Sequence, residues 1–486
     1  MNFEGDEKID WNIFENKQLY SEGGRVSYFY PCYLITTQYS QIHTIWPHTG
    51  FIISLMNEHY VKWIFVLSDE DFQKVFDRFW KDKGLLEEME KYLTEKMEQG
   101  VKKIFLKDLN KLTDDDLAEV FDSYFTFYWE FMVTAGTLRI LDRVVVKKIR
   151  EHFLNQSDVD QIIINLAQPI KPTLSVSEEL DLLNLASSIF EKKEDINSQS
   201  IKEKIAEIVG KYAWGVMGYF DEKPKEYNDY KNTLDGLLKD NPTQKRNNFL
   251  KKIVDDKKTY ENLVKSLDEK GKELARIASF ATYLKDYYKS CINKLEYYAE
   301  PLFGELARRK DVSIGFIKDL HPREIIEFAL GGQMPDESLV KERSKYNIVI
   351  AVPNKLNILL GKDAKKFEER FLINKDIGKK EFKGRVASKG FAKGIAKVVL
   401  SGEDFKKFNK GDILIAANTS PDFMPVLIQA SGVVAEDGGI TAHVSVVSRE
   451  LGIPCVVGIN NATDVFKDGD LVEVDAEKGV VRILNK

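Results

Sequence analysis

The spacing of apolar residues predicts long helices over most of the chain. Across residues 114–155 and 260–300, apolar side chains recur every three or four positions and helix breakers are few. Shorter helices are predicted at 178–192, where Ser177 is a candidate cap, and at 200–208. The N-terminal three quarters of the chain is therefore expected to be mainly α-helical.

Near the N-terminus the pattern changes to short apolar runs of strand length. These runs lie at 26–37, 51–56 and 61–66. They predict a small mixed α/β part within residues 20–70 of the otherwise helical region.

The last hundred residues alternate short apolar runs with short helical segments. Strands are predicted at 395–400, 413–416, 433–435 and 455–457, helices at 404–408, 421–428 and 443–451, and a final hairpin from 471–474 and 480–484. Val444, Val447 and Leu451 share one face of the 443–451 helix, so we expect them to be buried against a sheet. This part is expected to be a compact α/β domain.

These patterns predict a multidomain protein with a mainly α-helical N-terminal region followed by an α/β domain. The helical region covers residues 1–373 and the α/β domain covers 383–486. Residues 374–382, a polar and basic stretch with a glycine, are expected to form a hinge linker between them.

Composition restricts the class of protein. The chain has 486 residues, a formal charge of −6 and three cysteines without metal-ligand spacing, Cys32, Cys291 and Cys455. The acidic balance argues against a nucleic-acid binder, and the scattered thiols favour a reduced, cytoplasmic protein without a metal site. No apolar run is long enough to cross a membrane, and the first residues do not have the character of a signal peptide.

The most informative chemistry lies around one histidine. His443 lies at the predicted start of a helix, a few residues after the pair Gly438 and Gly439. Thr441 lies between the glycine pair and His443. A glycine pair lets the backbone approach an anion, and the N-terminus of a helix favours negative charge. The imidazole is a nitrogen nucleophile, so the site suits a phosphoryl group carried on His443. The alternative is that His443 is a helix cap or a buried structural histidine.

Three segments, 384–400, 411–458 and 469–484, resemble the swivelling phosphohistidine domain of the PEP-utilizing enzymes. This family includes phosphoenolpyruvate synthase, pyruvate phosphate dikinase, rifampin phosphotransferase and phenylphosphate synthase. The resemblance implies that His443 is the phosphorylated residue, that Thr441 flanks it, and that Gly438 and Gly439 form the tight turn. Residues 419–425 match the family's Thr-x-Pro-Asp-x-x-Pro turn, whereas residues 444–448 contain less alanine than usual.

A weaker resemblance extends into the helical region, at 211–214, 283–298, 302–309 and 320–325. It implies that this region binds a small-molecule phosphoryl acceptor. The glycine-rich opening of an ATP-grasp domain and its Arg-Ser-Ser segment do not occur before residue 380, and the chain ends at Lys486 without a PEP-binding barrel. We therefore expect a separate ATP-grasp donor protein to hold ATP and Mg, with no cofactor bound by this chain.

Two functions of different classes remain. In the first, the chain is the phosphotransferase component of a PEP synthase-like system, incomplete without its donor, and His443 carries the phosphoryl group to an acceptor. In the second, it is a non-catalytic ligand-binding or regulatory protein that retains the domain as a scaffold. The intact sequence around His443 favours the first.

Overall fold

The computed structural model describes the chain in two compact units. The described residues are 19–25, 51–57, 60–66, 69–101, 104, 108–154, 156, 158–217, 223–352, 355–372, 379–400, 402–419, 423–436, 439, 442–459 and 461–485. One unit consists of Phe72–Ile317 with Pro322–Gln333, and the other of the described residues in Met1–Asp71, Lys318–His321 and Met334–Lys486.

The first unit is built from helices, as the periodicity predicts. They are α1 Asp69–Lys81, α2 Leu85–Gly100, α3 Asp114–His152, α4 Val159–Leu166, α5 Leu174–Lys192, α6 Gln199–Tyr212, α7 Tyr227–Leu238, α8 Pro242–Lys265, α9 Glu269–Lys310, α10 Ile314–Lys318 and α11 Pro322–Ala329. The mainly helical N-terminal region of the predicted fold class is confirmed. None of the described helices has both the length and the apolar character that a bilayer span requires.

The two longest helices, α3 and α9, form the centre of this unit. Phe303 of α9 contacts the rings of Phe121 and Tyr124 of α3 edge-on, with ring centres 5.2 and 5.7 Å apart. The predicted helix at 260–300 is wrong at its start, since residues 260–265 belong to α8. The carboxylate of Asp268 accepts a hydrogen bond from the Gly271 N–H at 2.8 Å and caps α9 there.

A smaller apolar cluster joins α5, α6 and α7. Ile189, Ile205 and Leu234 are among its buried members. The cap of α5 is Thr173, whose hydroxyl accepts from the Val176 N–H, and not Ser177 as the sequence suggests. The hydroxyl of Ser177 instead donates to the Thr173 carbonyl oxygen at 2.9 Å, within the first turn.

The second unit contains a five-stranded antiparallel sheet made from two distant parts of the chain. Its strands are β1 Leu19–Arg25, β2 Phe51–Asn57, β3 Tyr60–Val66, β4 Tyr346–Val352 and β5 Lys355–Leu360, in the order β1-β3-β2-β4-β5. The strands predicted at 51–56 and 61–66 are confirmed, and the run at 26–37 lies outside the described residues. Helices α12 Glu337–Lys345 and α13 Gly361–Phe367 flank the hairpin of β4 and β5 along the chain.

The second unit also contains an eight-stranded mixed sheet with short helices, the predicted α/β domain. Its strands are β6 Glu381–Lys383, β7 Arg385–Ser388, β8 Phe391–Val398, β9 Ile413–Ala416, β10 Gly432–Ala435, β11 Cys455–Val457, β12 Leu471–Asp475 and β13 Val480–Asn485, and its α-helices are α14 Met424–Leu427, α15 His443–Leu451 and α16 Ala462–Val465. The strand order is β6-β13-β12-β8-β9-β10-β11-β7.

Both faces of the centre of this sheet are buried. In β9, Ile413 and Ile415 point into one apolar core, whereas Leu414 and Ala416 point into the other, which includes Val444 of α15. Strand β9 is parallel to β8, β10 is parallel to β9, and β11 is parallel to β10. The carboxyl ends of these four strands therefore meet at one edge of the sheet. Parallel strands covered on both faces appear in sequence as continuous apolar runs.

The predicted linker and the sheet overlap. Glu381 and Phe382, assigned to the 374–382 linker from sequence, lie in β6, and Phe382 is buried in a core of the sheet. Phe382 packs against Phe466 with ring centres 5.2 Å apart, which explains why the sheet begins before residue 383. Residues 373–378 lie outside the described part of the chain.

Candidate functional site

His443 is the first residue of α15 and is half-buried. Val444 and Val447 fix the helix against the sheet, since they are 1% and 8% exposed. The prediction that Leu451 is also buried is wrong, because it is 40% exposed. The chain turns back immediately after it, through Gly452 at φ 65°, and the N–H of Ile453 donates to the Ser448 carbonyl at 2.8 Å. In this Schellman arrangement Ile453 is buried instead of Leu451.

The ring of His443 contacts the side chain of a threonine, Thr419, in the loop that follows strand β9. Oγ1 of Thr419 lies 2.9 Å from Nδ1 of His443. Thr419 follows β9, and His443 lies beyond β10. These parallel strands end at the same edge of the sheet, so residues distant in sequence meet there. A bond at Nδ1 restrains the orientation of the imidazole and distinguishes its two nitrogens.

The turn before the helix is held by its own backbone and by a buried serine. The carbonyl oxygen of Gly439 accepts hydrogen bonds from the Ala442 N–H at 2.9 Å and from the Ser445 hydroxyl at 2.7 Å. Ser445 is fully buried. Gly439 thus lies directly before His443 in the folded loop, whereas Gly438 and Thr441 lie outside the described residues.

A buried carboxylate lies at the start of the same loop. Glu436 follows β10 and is 4% exposed. Its Oε1 accepts from the backbone N–H of Thr463 at 2.8 Å and from the Thr463 hydroxyl. Thr463 belongs to α16, so Glu436 ties that helix to the loop that leads to His443. Charge-assisted bonds of this kind are stronger than neutral ones.

The side chains of Thr419, Glu436 and Ser445 were given no role from sequence. Thr419 belongs to the 419–425 element that carries the resemblance, so its position in that element was the available indication. Glu436 and Ser445 could not be assigned because their partners, Thr463 and Gly439, are determined by the folded loops.

The cysteine of this domain is structural in character. Cys455 is in β11 and fully buried, and burial raises the pKa of its thiol to about 12. A thiol in such surroundings is a poor nucleophile at neutral pH. Among the described residues there is also no cluster of three or more His, Cys, Asp or Glu side chains that could hold a metal ion.

Comparison with known proteins identifies the domain. Residues 408–479 match the family model of the PEP-utilising enzyme mobile domain. Over 150 residues the chain is 41% identical to a probable phosphoenolpyruvate synthase of Archaeoglobus fulgidus, covering 31% of this chain and 19% of that protein. Over 100 residues it is 50% identical to the phosphoenolpyruvate synthase of Aeropyrum pernix, covering 20% of this chain and 12% of that protein.

The eight-stranded domain is therefore a mobile domain of the PEP-utilising enzymes, and the resemblance recognised from sequence is confirmed. Its relatives include the two phosphoenolpyruvate synthases named above, and the chain spans only a small part of their length: 19% of the Archaeoglobus fulgidus protein and 12% of the Aeropyrum pernix protein.

Proposed function

We propose that this protein is a phosphotransferase component in which His443 carries a phosphoryl group. The observation that carries the proposal is the 2.9 Å contact between Oγ1 of Thr419 and Nδ1 of His443. It engages one ring nitrogen at the start of a helix, within a domain of the mobile PEP-utilising type.

The chemistry follows from the two nitrogens of the ring. When Nδ1 carries the proton and donates to Thr419, Nε2 holds the lone pair. Nε2 attacks the phosphorus of the donor; the N–P bond forms, the P–O bond to the leaving group breaks, and its electron pair remains on the leaving oxygen. In the second transfer an acceptor oxygen attacks phosphorus, and the electron pair of the N–P bond returns to Nε2.

The hydroxyl of Thr419 can hydrogen-bond to His443 whether Nδ1 is protonated or unprotonated. A hydroxyl accepts a hydrogen bond from a protonated Nδ1 and donates one to an unprotonated Nδ1. The ring therefore keeps its orientation whichever proton state the phosphorylated imidazole adopts. The positive end of α15, next to His443, favours the negative phosphoryl group.

The remaining partners belong to the same proposal. A separate nucleotide- or PEP-dependent protein, with ATP and Mg in the nucleotide case, phosphorylates His443. The helical region binds the small-molecule acceptor. A carrier that serves two sites must reorient, and the polar stretch 374–380 before β6 supplies the joint.

The proposal is tested by phosphorylating the full chain with phosphoramidate, a small phosphoryl donor that requires no partner. Intact-mass measurement should show one acid-labile phosphate, which peptide mapping at alkaline pH places on His443. His443→Ala should lose it, while His152→Ala, a change in the helical unit, should keep it. A phosphate that persists in His443→Ala would leave the scaffold function as the better account.

The donor is tested separately. An ATP-grasp protein encoded beside this chain should transfer phosphate to the wild-type chain in the presence of ATP and Mg, and not to His443→Ala. Transfer at equal rates to both chains would exclude His443 as the carrier.

A further inference from the structure

A groove lies between α5 and α7 in the helical unit, and none of its lining residues is assigned to phosphoryl transfer. Its volume is about 500 Å³, within the ~300–1,000 Å³ typical of small-molecule sites. Its apolar part includes Leu182, which is 8% exposed, and the buried ring of Tyr230. The space and the apolar surface suit an organic molecule rather than a bare ion.

The charged groups that line the groove are mainly acidic. Glu178, Glu179 and Asp229 contribute carboxylates, and Lys225 is the ammonium among the lining residues. Since acidic groups outnumber the basic one, the potential in the groove favours a positive ligand.

Only one of the two carboxylate oxygens of Glu178 accepts hydrogen bonds from described residues. Its Oε1 accepts from the Lys225 ammonium at 2.8 Å and from the Tyr230 hydroxyl at 2.9 Å. Burial and the Glu178 carboxylate raise the pKa of Tyr230, so the hydroxyl stays a donor. Both bonds involve the same oxygen, and within the described part of the chain Oε2 of Glu178 forms none.

We propose that this groove binds an organic cation, a protonated amine attached to an apolar body. The ammonium group pairs with Glu178 Oε2 and the neighbouring carboxylates, and the apolar body lies on Leu182 and Tyr230. The proposal is independent of His443 and of phosphoryl transfer, because it depends only on the lining of the groove.

A matched series of fluorescent probes tests the charge preference on the full chain. The probes are 2-(1-naphthyl)ethylamine, the neutral 2-(1-naphthyl)ethanol and the anionic 1-naphthaleneacetate, titrated by fluorescence anisotropy. We expect the amine to bind at least about fivefold more tightly than the alcohol, from ~1 kcal/mol for a partly exposed charge pair, and the acid to bind weakest. Higher salt should weaken the amine only.

Two substitutions with opposite expected effects on amine affinity test whether the amine binds in this groove. Glu178→Gln should weaken the amine about fivefold, because it removes a carboxylate and leaves Lys225 without its partner. Lys225→Gln should strengthen it, because it removes the competing ammonium. Asp235→Asn is the matched control: it removes one carboxylate of α7 that is paired with Lys231 at 3.3 Å and does not line the groove.

Circular dichroism establishes that each variant is folded. If Glu178→Gln does not fold, Lys225→Gln still decides the question. Equal affinities for amine and alcohol would overturn the proposal. So would an amine affinity that Lys225→Gln leaves unchanged or lowers, or one that Asp235→Asn changes as much as Glu178→Gln does.

Discussion

The hydroxyl of Thr419 and the Nδ1 atom of His443 are 2.9 Å apart although 24 residues separate them in sequence. The parallel pairing of β9 with β10 brings the two loops to one edge of the sheet. Because the hydroxyl of Thr419 contacts Nδ1, Nε2 is the nitrogen that carries the phosphoryl group in the proposed reaction.

Replacing Thr419 by valine removes the hydroxyl and keeps the branched shape. We expect the rate of His443 phosphorylation by phosphoramidate to fall about fivefold, because one hydrogen bond of ~1 kcal/mol no longer orients the ring. Thr419→Ser keeps a hydroxyl and should restore most of the rate. Equal rates in the valine variant and the wild type would show that the contact does not position His443.

Ser445 holds the turn before His443 through the carbonyl of Gly439. Ser445→Ala should lower the free energy of unfolding by about 1 kcal/mol, the net contribution of a typical hydrogen bond, measured by urea denaturation. It should also slow labelling of His443, because the turn loses one of its two donors. Val446→Ala, at a position 39% exposed on the same helix, is the control and should change stability little.

Glu436 joins the loop after β10 to α16 by two bonds from Thr463. Glu436→Ala should lower the free energy of unfolding by about 2 kcal/mol, because bonds to a buried carboxylate are charge-assisted. Glu450→Ala removes the same charge from an exposed position and should have little effect. Comparable losses in both variants would mean that net charge, and not the bonds to Thr463, explains the result.

The buried thiols of Cys291 and Cys455 should not react in the folded protein. Burial raises the pKa of each from 9.0 to about 12. At pH 8, iodoacetamide followed by peptide mapping should therefore modify neither residue until urea is added. Rapid labelling of either residue in the native protein would contradict this.

The raised thiol pKa values also predict a dependence of stability on pH. The folded state favours the protonated thiol, so this contribution is fully present below pH 9 and is lost as pH rises toward 12. Unfolding free energy should fall between pH 9 and 10.5, and less steeply in a Cys291→Ala, Cys455→Ala double variant. Identical slopes in the two proteins would assign the loss to other groups.

The centre of the α/β domain could be predicted from sequence because its pattern is simple. The strands at 413–416 and 455–457 and the helix at 443–451 have the predicted bounds. Their apolar runs are short, buried on both faces of the sheet and separated by polar turns, so neighbouring patterns do not overlap. Burial at the end of α15 differed because the chain turns at Gly452, so that Ile453, beyond the helix, is buried and Leu451 is exposed.

Other features depend on contacts that a local pattern does not contain. The hairpin of β4 and β5 was missed because its strands complete a sheet whose other members lie almost three hundred positions earlier, at Leu19–Val66. The start of α9 depends on the capping bond from Asp268. The candidate site shows the same contrast: the motif points to His443 and Gly439 as candidates, whereas the contact between Thr419 and His443 depends on the pairing of β9 with β10.

Two-dimensional ¹H–³¹P NMR of the phosphoramidate-treated full chain at alkaline pH shows directly whether His443 carries phosphate on Nε2, the nitrogen opposite Thr419. We expect a single phosphohistidine whose phosphorus couples to the ring protons as an Nε2 adduct, and which disappears in His443→Ala. An Nδ1 adduct at His443 would contradict this expectation, as would phosphate found only on other histidines.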